Sequence, residues 1–295
     1  MKVGVVLLAA EVDWEGSMPF WDDVRTFAVA AEDAGLDSVW MFDHFFNRAD
    51  DGTVEGMYEA WTTLSAIAAV TDRVQLGTLV MCTSFRHPGL LAKMAATLDE
   101  ISSGRLTLGV GAGWHDPEYE AFGYPIGERF ARFEEAFTIL RELLDGNRVS
   151  VSGKFHQLDD AILAPAPRRR IPILVAGDGP KMLRLTARSA DAWNTAWFGA
   201  PDRALGDVLE AFDRALEKEG RDPASIERTI GVTIRDPGLP IDEADEPAFR
   251  GSVEEMAELF DGYATLGVDQ LILEIAPKTS ASLARVAAAL TRHRG

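Results

Sequence analysis

Short apolar runs alternate along this chain with longer segments in which apolar residues recur every three or four positions. The first pattern is typical of buried strands and the second of amphipathic helices. The apolar runs are Val3–Ala9, Ser38–Phe42, Val74–Met81, Leu106–Val110, Ile173–Ala176, Ala192–Thr195, Thr229–Ile234 and Gln270–Ile275. A strand followed by a helix, repeated in this way, predicts a parallel sheet covered by helices.

We expect the sheet to close into a (β/α)8 TIM barrel with insertions, forming a single domain over residues 1–295. A doubly wound open sheet is the alternative fold. A dinucleotide-binding sheet of that kind usually has a glycine-rich turn after its first strand, and the segment Ala9–Trp14 contains no glycine. The pattern therefore favours the barrel.

Helix ends are also marked. Pro88 stands where it would open a helix, and Ser252 with Glu255 forms a capping-box pattern.

Two segments interrupt the alternation of strands and helices. Gly146–Arg170 predicts an excursion with a β-hairpin. The acidic, proline-containing segment Asp236–Arg250 predicts a long mobile loop, which would either serve as a lid or be disordered.

Charge and cysteine content narrow the class of protein. The formal net charge of -18 argues against nucleic acid and against an anionic membrane surface, because both need clustered lysine and arginine. Cys82 is the one cysteine, so the chain has no internal disulfide and no cysteine cluster for a metal. Met1–Ala10 resembles a buried strand more than a signal peptide, and we expect a cytoplasmic protein without a membrane span.

In a barrel, the catalytic groups lie at the C-terminal ends of the strands. His44 follows Asp43 just after the second run, where a histidine would act as an acid, a base or a hydrogen-bond donor, although a lone histidine is more often a structural residue. His87 and His115 lie just beyond strands and no His-x-His pair exists, so we expect no metal site.

Strand-end carboxylates leave a glycosidase open as an alternative. Glu11, Asp43 and Glu274 stand where two carboxylates would flank a glycosidic bond. Carboxylates at these positions also cap helices or hold arginines in barrels of many functions. Their presence is therefore weak support for that class.

Two glycine-rich turns follow strands. The run Gly109–Trp114 has three alternate glycines, which would let a ligand approach the backbone or would serve close barrel packing. The run Ala176–Lys181 has Pro180 at the predicted start of a helix, which predicts an anion site, although the charge of Asp178 opposes an anion. Aromatic residues near these ends suit either a ring-binding pocket or the core; they are Trp40, Trp114, Trp193, Trp197 and Phe198.

Several of these motifs together resemble the luciferase-like monooxygenase superfamily. The matching segments are Ala95–Leu106, Gly109–Trp114, Val39–His44, Leu76–Thr78 and Phe85–Pro88. Within that superfamily they are most similar to actinobacterial oxidoreductases that use coenzyme F420, a deazaflavin. The resemblance covers most of the chain, and the sequence match is weaker after Thr195.

This resemblance implies a homodimeric enzyme that transfers a hydride between coenzyme F420 and a small organic substrate. It implies that His44 is the catalytic proton partner and that the bond between Leu79 and Val80 is a cis peptide behind the cofactor ring. It places the phosphate on the turn at Gly177, Asp178 and Gly179. The remaining cofactor-binding residues that we infer are Asp43, Leu79, Val80, Cys82, Ala112, Gly113 and Thr195.

The chain departs from F420-dependent glucose-6-phosphate dehydrogenases at two positions. Trp114 stands where those enzymes carry a catalytic glutamate, and Pro117 replaces a cofactor-binding asparagine. A sugar-phosphate reaction is therefore in doubt. The alternatives are an FMN-dependent monooxygenase on the same fold, and a flavin-binding protein without catalysis.

Overall fold

The computed structural model describes residues 1–13, 17–49, 51–240 and 247–295. The strands in these ranges are β1 (Lys2–Val6), β2 (Ser38–Met41), β3 (Phe46–Arg48), β4 (Val54–Gly56), β5 (Gln75–Thr78), β6 (Met81–Cys82), β7 (Leu106–Gly111), β8 (Val149–Ser152), β9 (Gln157–Ala161), β10 (Ile173–Ala176), β11 (Ala192–Phe198), β12 (Glu227–Arg235) and β13 (Gln270–Ala276). The α-helices are α1 (Trp21–Asp33), α2 (Ala60–Ala68), α3 (Pro88–Ile101), α4 (Asp116–Phe122), α5 (Arg129–Leu144), α6 (Pro180–Ser189), α7 (Arg203–Lys218), α8 (Val253–Thr265) and α9 (Ser280–Arg294).

The main sheet is a closed parallel barrel. Its strands run in the order β1-β2-β5-β7-β10-β11-β12-β13, and β13 pairs back to β1. Each predicted apolar run coincides with one of these strands, so the barrel prediction is confirmed and the open sheet is wrong. The run Val74–Met81 is divided, because Leu79 and Val80 leave the ladder and the chain resumes as β6, which pairs with β7.

The helix starts predicted from the sequence also form as expected. Pro88 lies in the first turn of α3, and Ser252 and Glu255 exchange both capping-box hydrogen bonds, at 2.7 and 3.2 Å. The excursion after α5 contains the predicted hairpin, formed by β8 and β9. Two further excursions were not predicted from the sequence: the β3–β4 hairpin after β2, and α4 after β7. Both follow the C-terminal ends of barrel strands and so lie at the mouth.

Part of the predicted lid, residues 241–246, lies outside the described residues. Its C-terminal part returns to the barrel, where Phe249 accepts from the Arg235 N–H and donates to the Thr233 carbonyl, both at 2.9 Å. The end of the segment is therefore anchored beside the C-terminal end of β12. Its role as a lid stays a prediction.

Trp40 fills the interior of the barrel. It is 2% exposed and packs with residues from around the barrel, which meet inside the closed sheet: Val6, Leu79, Leu174, Ala192 and Ile272. Its Nε1 donates to Ser38 Oγ at 2.7 Å. A Cβ on Gly77 would lie 2.1 Å from the indole, so glycine is required there. Trp40 is thus part of the core, and the space for a ligand lies beyond it at the mouth.

Candidate active site

A cavity of about 670 Å³ opens at the C-terminal mouth of the barrel. Its volume falls within the range of small-molecule sites, roughly 300–1,000 Å³. Every site residue inferred from the sequence lines this cavity: Asp43, His44, Leu79, Val80, Cys82, Ala112, Gly113, Gly177, Asp178, Gly179 and Thr195. Barrel closure therefore brings together residues from five of the eight barrel strands or the segments just after them, together with Cys82 of β6.

His44 is held by a carboxylate that the sequence did not point to. Its Nδ1 lies 2.8 Å from Oε2 of Glu118, which is 1% exposed. The other oxygen of Glu118 accepts hydrogen bonds from the backbone N–H groups of Phe45 and Phe46. An acceptor at Nδ1 places the ring proton there and leaves the Nε2 lone pair available to the cavity that His44 lines.

Asp43 points to a different partner. Both of its oxygens bond Arg86, at 2.7 and 2.9 Å, and Oδ2 also accepts from the Cys82 N–H at 2.8 Å. Burial raises the pKa of Asp43, although Arg86 opposes this. Asp43 therefore does not orient His44; it joins the segment after β2 to the segment after β5.

Cys82, Tyr119 and Ala112 form a hydrogen-bonded row along one wall. The Cys82 thiol lies 3.0 Å from the Tyr119 hydroxyl, which donates to the Ala112 carbonyl at 2.8 Å. Burial raises the pKa of Cys82 to about 11. Gly113 has a φ of 78°, and a Cβ there would lie 2.0 Å from the Tyr119 hydroxyl. Glycine is therefore needed to keep this wall open.

The turn before α6 has free backbone donors. Gly179 is the N-cap and supplies no side-chain cap, Pro180 lies in the first turn, and Gly177 has a φ of 129°. The Gly177 carbonyl accepts from Trp193 Nε1 at 2.9 Å, which fixes the turn against β11. A Cβ on Gly179 would meet no atom within 4 Å. The helix therefore presents its uncapped N-terminus, with open space, to the cavity.

The aromatic residues divide between core and cavity. Trp193 is buried and stacks on Phe212, with ring centroids 4.2 Å apart. Trp114 and Trp197 line the cavity, and Trp114 is 67% exposed. The Trp114 ring lies edge-on to His44 at 5.6 Å. The cavity thus combines an apolar, partly aromatic wall with the imidazole.

A family comparison agrees with this geometry. The model of the luciferase-like monooxygenase family matches residues 1–235. The chain belongs to this family.

Curated relatives of this luciferase-like chain include proteins named F420-dependent glucose-6-phosphate dehydrogenase. The one from Microbacterium testaceum is 35% identical over 216 residues, which cover 72% of this chain and 64% of that protein. The one from Beutenbergia cavernae is 38% identical over 215 residues, covering 72% of this chain and 63% of that protein. The chain thus spans somewhat less than two thirds of the length of these relatives.

Solved structures show the same luciferase-like fold. An F420-dependent secondary alcohol dehydrogenase, in complex with an F420-acetone adduct, superposes with a TM-score of 0.83 at 21% identity over 100% of this chain and 99% of that chain. The monooxygenase RslO1 from Streptomyces bottropensis gives 0.81 at 22% identity over 99% and 98%.

The most informative residue that sequence reasoning missed in this luciferase-like chain is Glu118. The signal was present: Pro117 follows a strand-end glycine turn, and Asp116 and Glu118 fill the first turn of α4, as is usual at a helix start. The sequence pattern predicts a glycine-rich turn after β7 and does not predict the helix that follows it. The pairing with His44 also spans 74 residues, which no local pattern reports.

Other candidates have structural partners. His115 is 6% exposed and accepts from the Arg48 N–H at 3.1 Å, and Glu11 accepts from the Gly56 N–H at 2.7 Å. Among the described residues, no group of histidine, cysteine and carboxylate side chains could hold a metal ion. Asp43 is paired with Arg86, which weakens the glycosidase alternative because that reaction needs two available carboxyl groups.

No helix in the described ranges is long and apolar enough to cross a membrane.

Proposed function

We propose that this luciferase-like chain is an oxidoreductase that transfers a hydride between coenzyme F420 and a small organic substrate. The observation that carries the proposal is the His44–Glu118 pair on the wall of a cavity that also includes the uncapped turn of α6. A proton-exchanging imidazole and an anion site on one cavity fit a phosphate-bearing redox cofactor beside its substrate.

The residues present fit such a cofactor. The open space at Gly179 and the free N–H groups of the first turn of α6 would hold the phosphate. The backbone at Leu79–Val80, a cis peptide as inferred from the resemblance, would back the ring together with Ala112 and Gly113. The chemistry that F420 supplies when bound is two-electron hydride transfer, with little activation of oxygen.

His44 would manage the substrate proton. With Nδ1–H donated to Glu118, Nε2 accepts a proton from a substrate hydroxyl as the hydride leaves the adjacent carbon, or returns it in the reverse direction. Glu118 stabilises the resulting imidazolium. Trp114 takes the place of the glutamate of the sugar-phosphate enzymes, so His44 carries the proton exchange on this wall.

The cofactor assignment is tested by titrating the purified protein with F420 and with FMN. We expect tight F420 binding and much weaker FMN binding. The reverse order would contradict the proposal and support an FMN-dependent monooxygenase. Binding without turnover of any alcohol or ketone would indicate a binding protein, and sugar release without a cofactor would indicate a glycosidase.

We also propose a homodimer that acts in the cytoplasm. The family resemblance supports the homodimer, and the net charge of -18 supports a protein that stays dispersed in solution. Light scattering after size exclusion tests the assembly, and a mass of one chain of 32.2 kDa would contradict it.

A further inference from the structure

A buried charge cluster occupies the wall of the cavity that faces the α6 turn across the barrel. It consists of Asp13, which follows β1, and Glu274 and Lys278, at the end of β13 and just after it. All three line the cavity. In the barrel order, β10 is four strands from β1 and three from β13, so this cluster and the turn after β10 lie across the mouth from each other.

Lys278 has no hydrogen left to offer a ligand. Its side chain is 2% exposed, and its ammonium group donates to Asp13 Oδ1 at 2.7 Å, to Glu274 Oε1 at 3.0 Å and to the Leu7 carbonyl at 3.2 Å. An ammonium group has three donors, and all three are used. The cation in this wall therefore does not make an anion site.

Glu274 has a carboxylate oxygen that accepts no hydrogen bond from the described residues. Its Oε2 is buried and has no hydrogen-bond partner among the described residues, while one fifth of its side chain remains exposed at the cavity wall. A buried carboxylate oxygen without a partner is costly, and a ligand donor would relieve that cost. Burial raises the pKa of Glu274, against the attraction of Lys278. Burial lowers the pKa of Lys278, but the two carboxylates outweigh it and raise that pKa.

We infer that Glu274 is the substrate-recognition group of this cavity, and that it selects a molecule with a hydroxyl or amino group there and rejects carboxylates and phosphates. The inference rests on the proposed function, because it names the substrate class of the same site. Two carboxylates share one ammonium in this wall, and Arg235, the other cation that acts on Glu274, does not line the cavity. The charged groups that face the cavity here are therefore one more negative than positive, which disfavours an anion. Because Oε2 itself is buried, a donor on the ligand reaches it when the Glu274 side chain, one fifth of which is exposed at the cavity wall, turns toward the cavity.

Three probes that share one ring test the inference: benzylamine, benzyl alcohol and benzoate. Their affinities are measured by calorimetry on the protein alone and on the protein loaded with F420. We expect the amine and the alcohol to bind about tenfold or more tightly than benzoate, since each factor of ten is ~1.4 kcal/mol. Equal affinity for all three, or no measurable binding of any, overturns the inference.

Glu274→Gln sharpens the test, because the amide keeps an oxygen for Lys278 and puts an N–H2 donor where Oε2 was. We expect benzylamine to weaken and benzoate to tighten, each by about tenfold. Glu55→Gln is the matched control: Glu55 lines the same cavity, but its carboxylate already accepts from Asn47 Nδ2 at 3.2 Å. Equal effects of the two substitutions would overturn the inference, and the wild-type ranking decides alone if Glu274→Gln does not fold.

The two proposals fail separately. F420 binding with no preference among the probes removes the recognition role of Glu274 and leaves the cofactor assignment intact. The expected probe ranking without F420 binding does the opposite.

Discussion

The sharpest prediction concerns Glu118, which we expect to set the tautomer of His44. In Glu118→Gln, the single amide oxygen is needed by the backbone N–H groups of Phe45 and Phe46. The N–H2 group then faces His44 Nδ1, which must become an acceptor, so the ring proton moves to Nε2. A protonated Nε2 does not accept the substrate proton.

The size of the effect follows from the role of the base. Loss of a general base costs about 10²–10⁴-fold in rate, and a wrong histidine tautomer lies at the upper end of that range. We expect single-turnover hydride transfer to fall by about 10³–10⁴-fold, with F420 affinity little changed. Hydrogen bonds to a charged group exceed neutral ones by roughly 1 kcal/mol, so the free energy of unfolding should fall by about 1–3 kcal/mol.

The chain contains a matched control for this substitution. Glu135 pairs with His156 Nδ1 at 2.8 Å and accepts from the backbone N–H groups of Lys154 and Phe155, at 2.8 and 3.0 Å. This pair does not line the cavity. The side chain of Glu135 is 19% exposed against 1% for Glu118, so Glu135→Gln should cost at most the same stability and leave hydride transfer unchanged.

The assay is stopped-flow absorbance of F420 with saturating substrate, run beside thermal unfolding of both variants. A Glu118→Gln rate within about threefold of wild type would refute the positioning role, since it is far below the usual cost of losing a base. An equal loss of rate in Glu135→Gln would refute it too, because the effect would then come from stability.

Three further predictions test separate parts of the site. His44→Ala should slow single-turnover hydride transfer by about 10²–10⁴-fold with cofactor affinity changed much less, and a rate within about threefold of wild type would make His44 a bystander. Gly179→Val should fold normally, because a Cβ there meets nothing within 4 Å, yet it should weaken F420 binding more than about tenfold by occupying the phosphate space; unchanged binding would place the phosphate elsewhere. Cys82, with its pKa raised to about 11, stays a neutral thiol well above pH 7, so iodoacetamide should label the native protein slowly at pH 8 and the unfolded protein quickly; equal labelling of both would contradict the buried thiol.

The sequence by itself determined the barrel and the ring of residues around its mouth. The spacing of apolar residues predicts each helix or strand separately, and every barrel strand contains an apolar run of its own. In a parallel barrel all strand C-termini meet at one face, so locating the ends of the strands was enough to gather residues as distant as His44 and Gly179 into one cavity. The resemblance to the F420 enzymes added the cis peptide at Leu79, which the structure contains.

Only the tertiary structure decided which polar groups pair across that mouth. Glu118 reaches His44 because α4 turns back over the end of β7, and Lys278 reaches Asp13 because β13 closes against β1. Such pairs depend on the approach of two elements to within about 3 Å, and hydrophobic periodicity carries no information on that scale. The same sequence pattern would have been consistent with a free Asp43, which the barrel instead joins to Arg86.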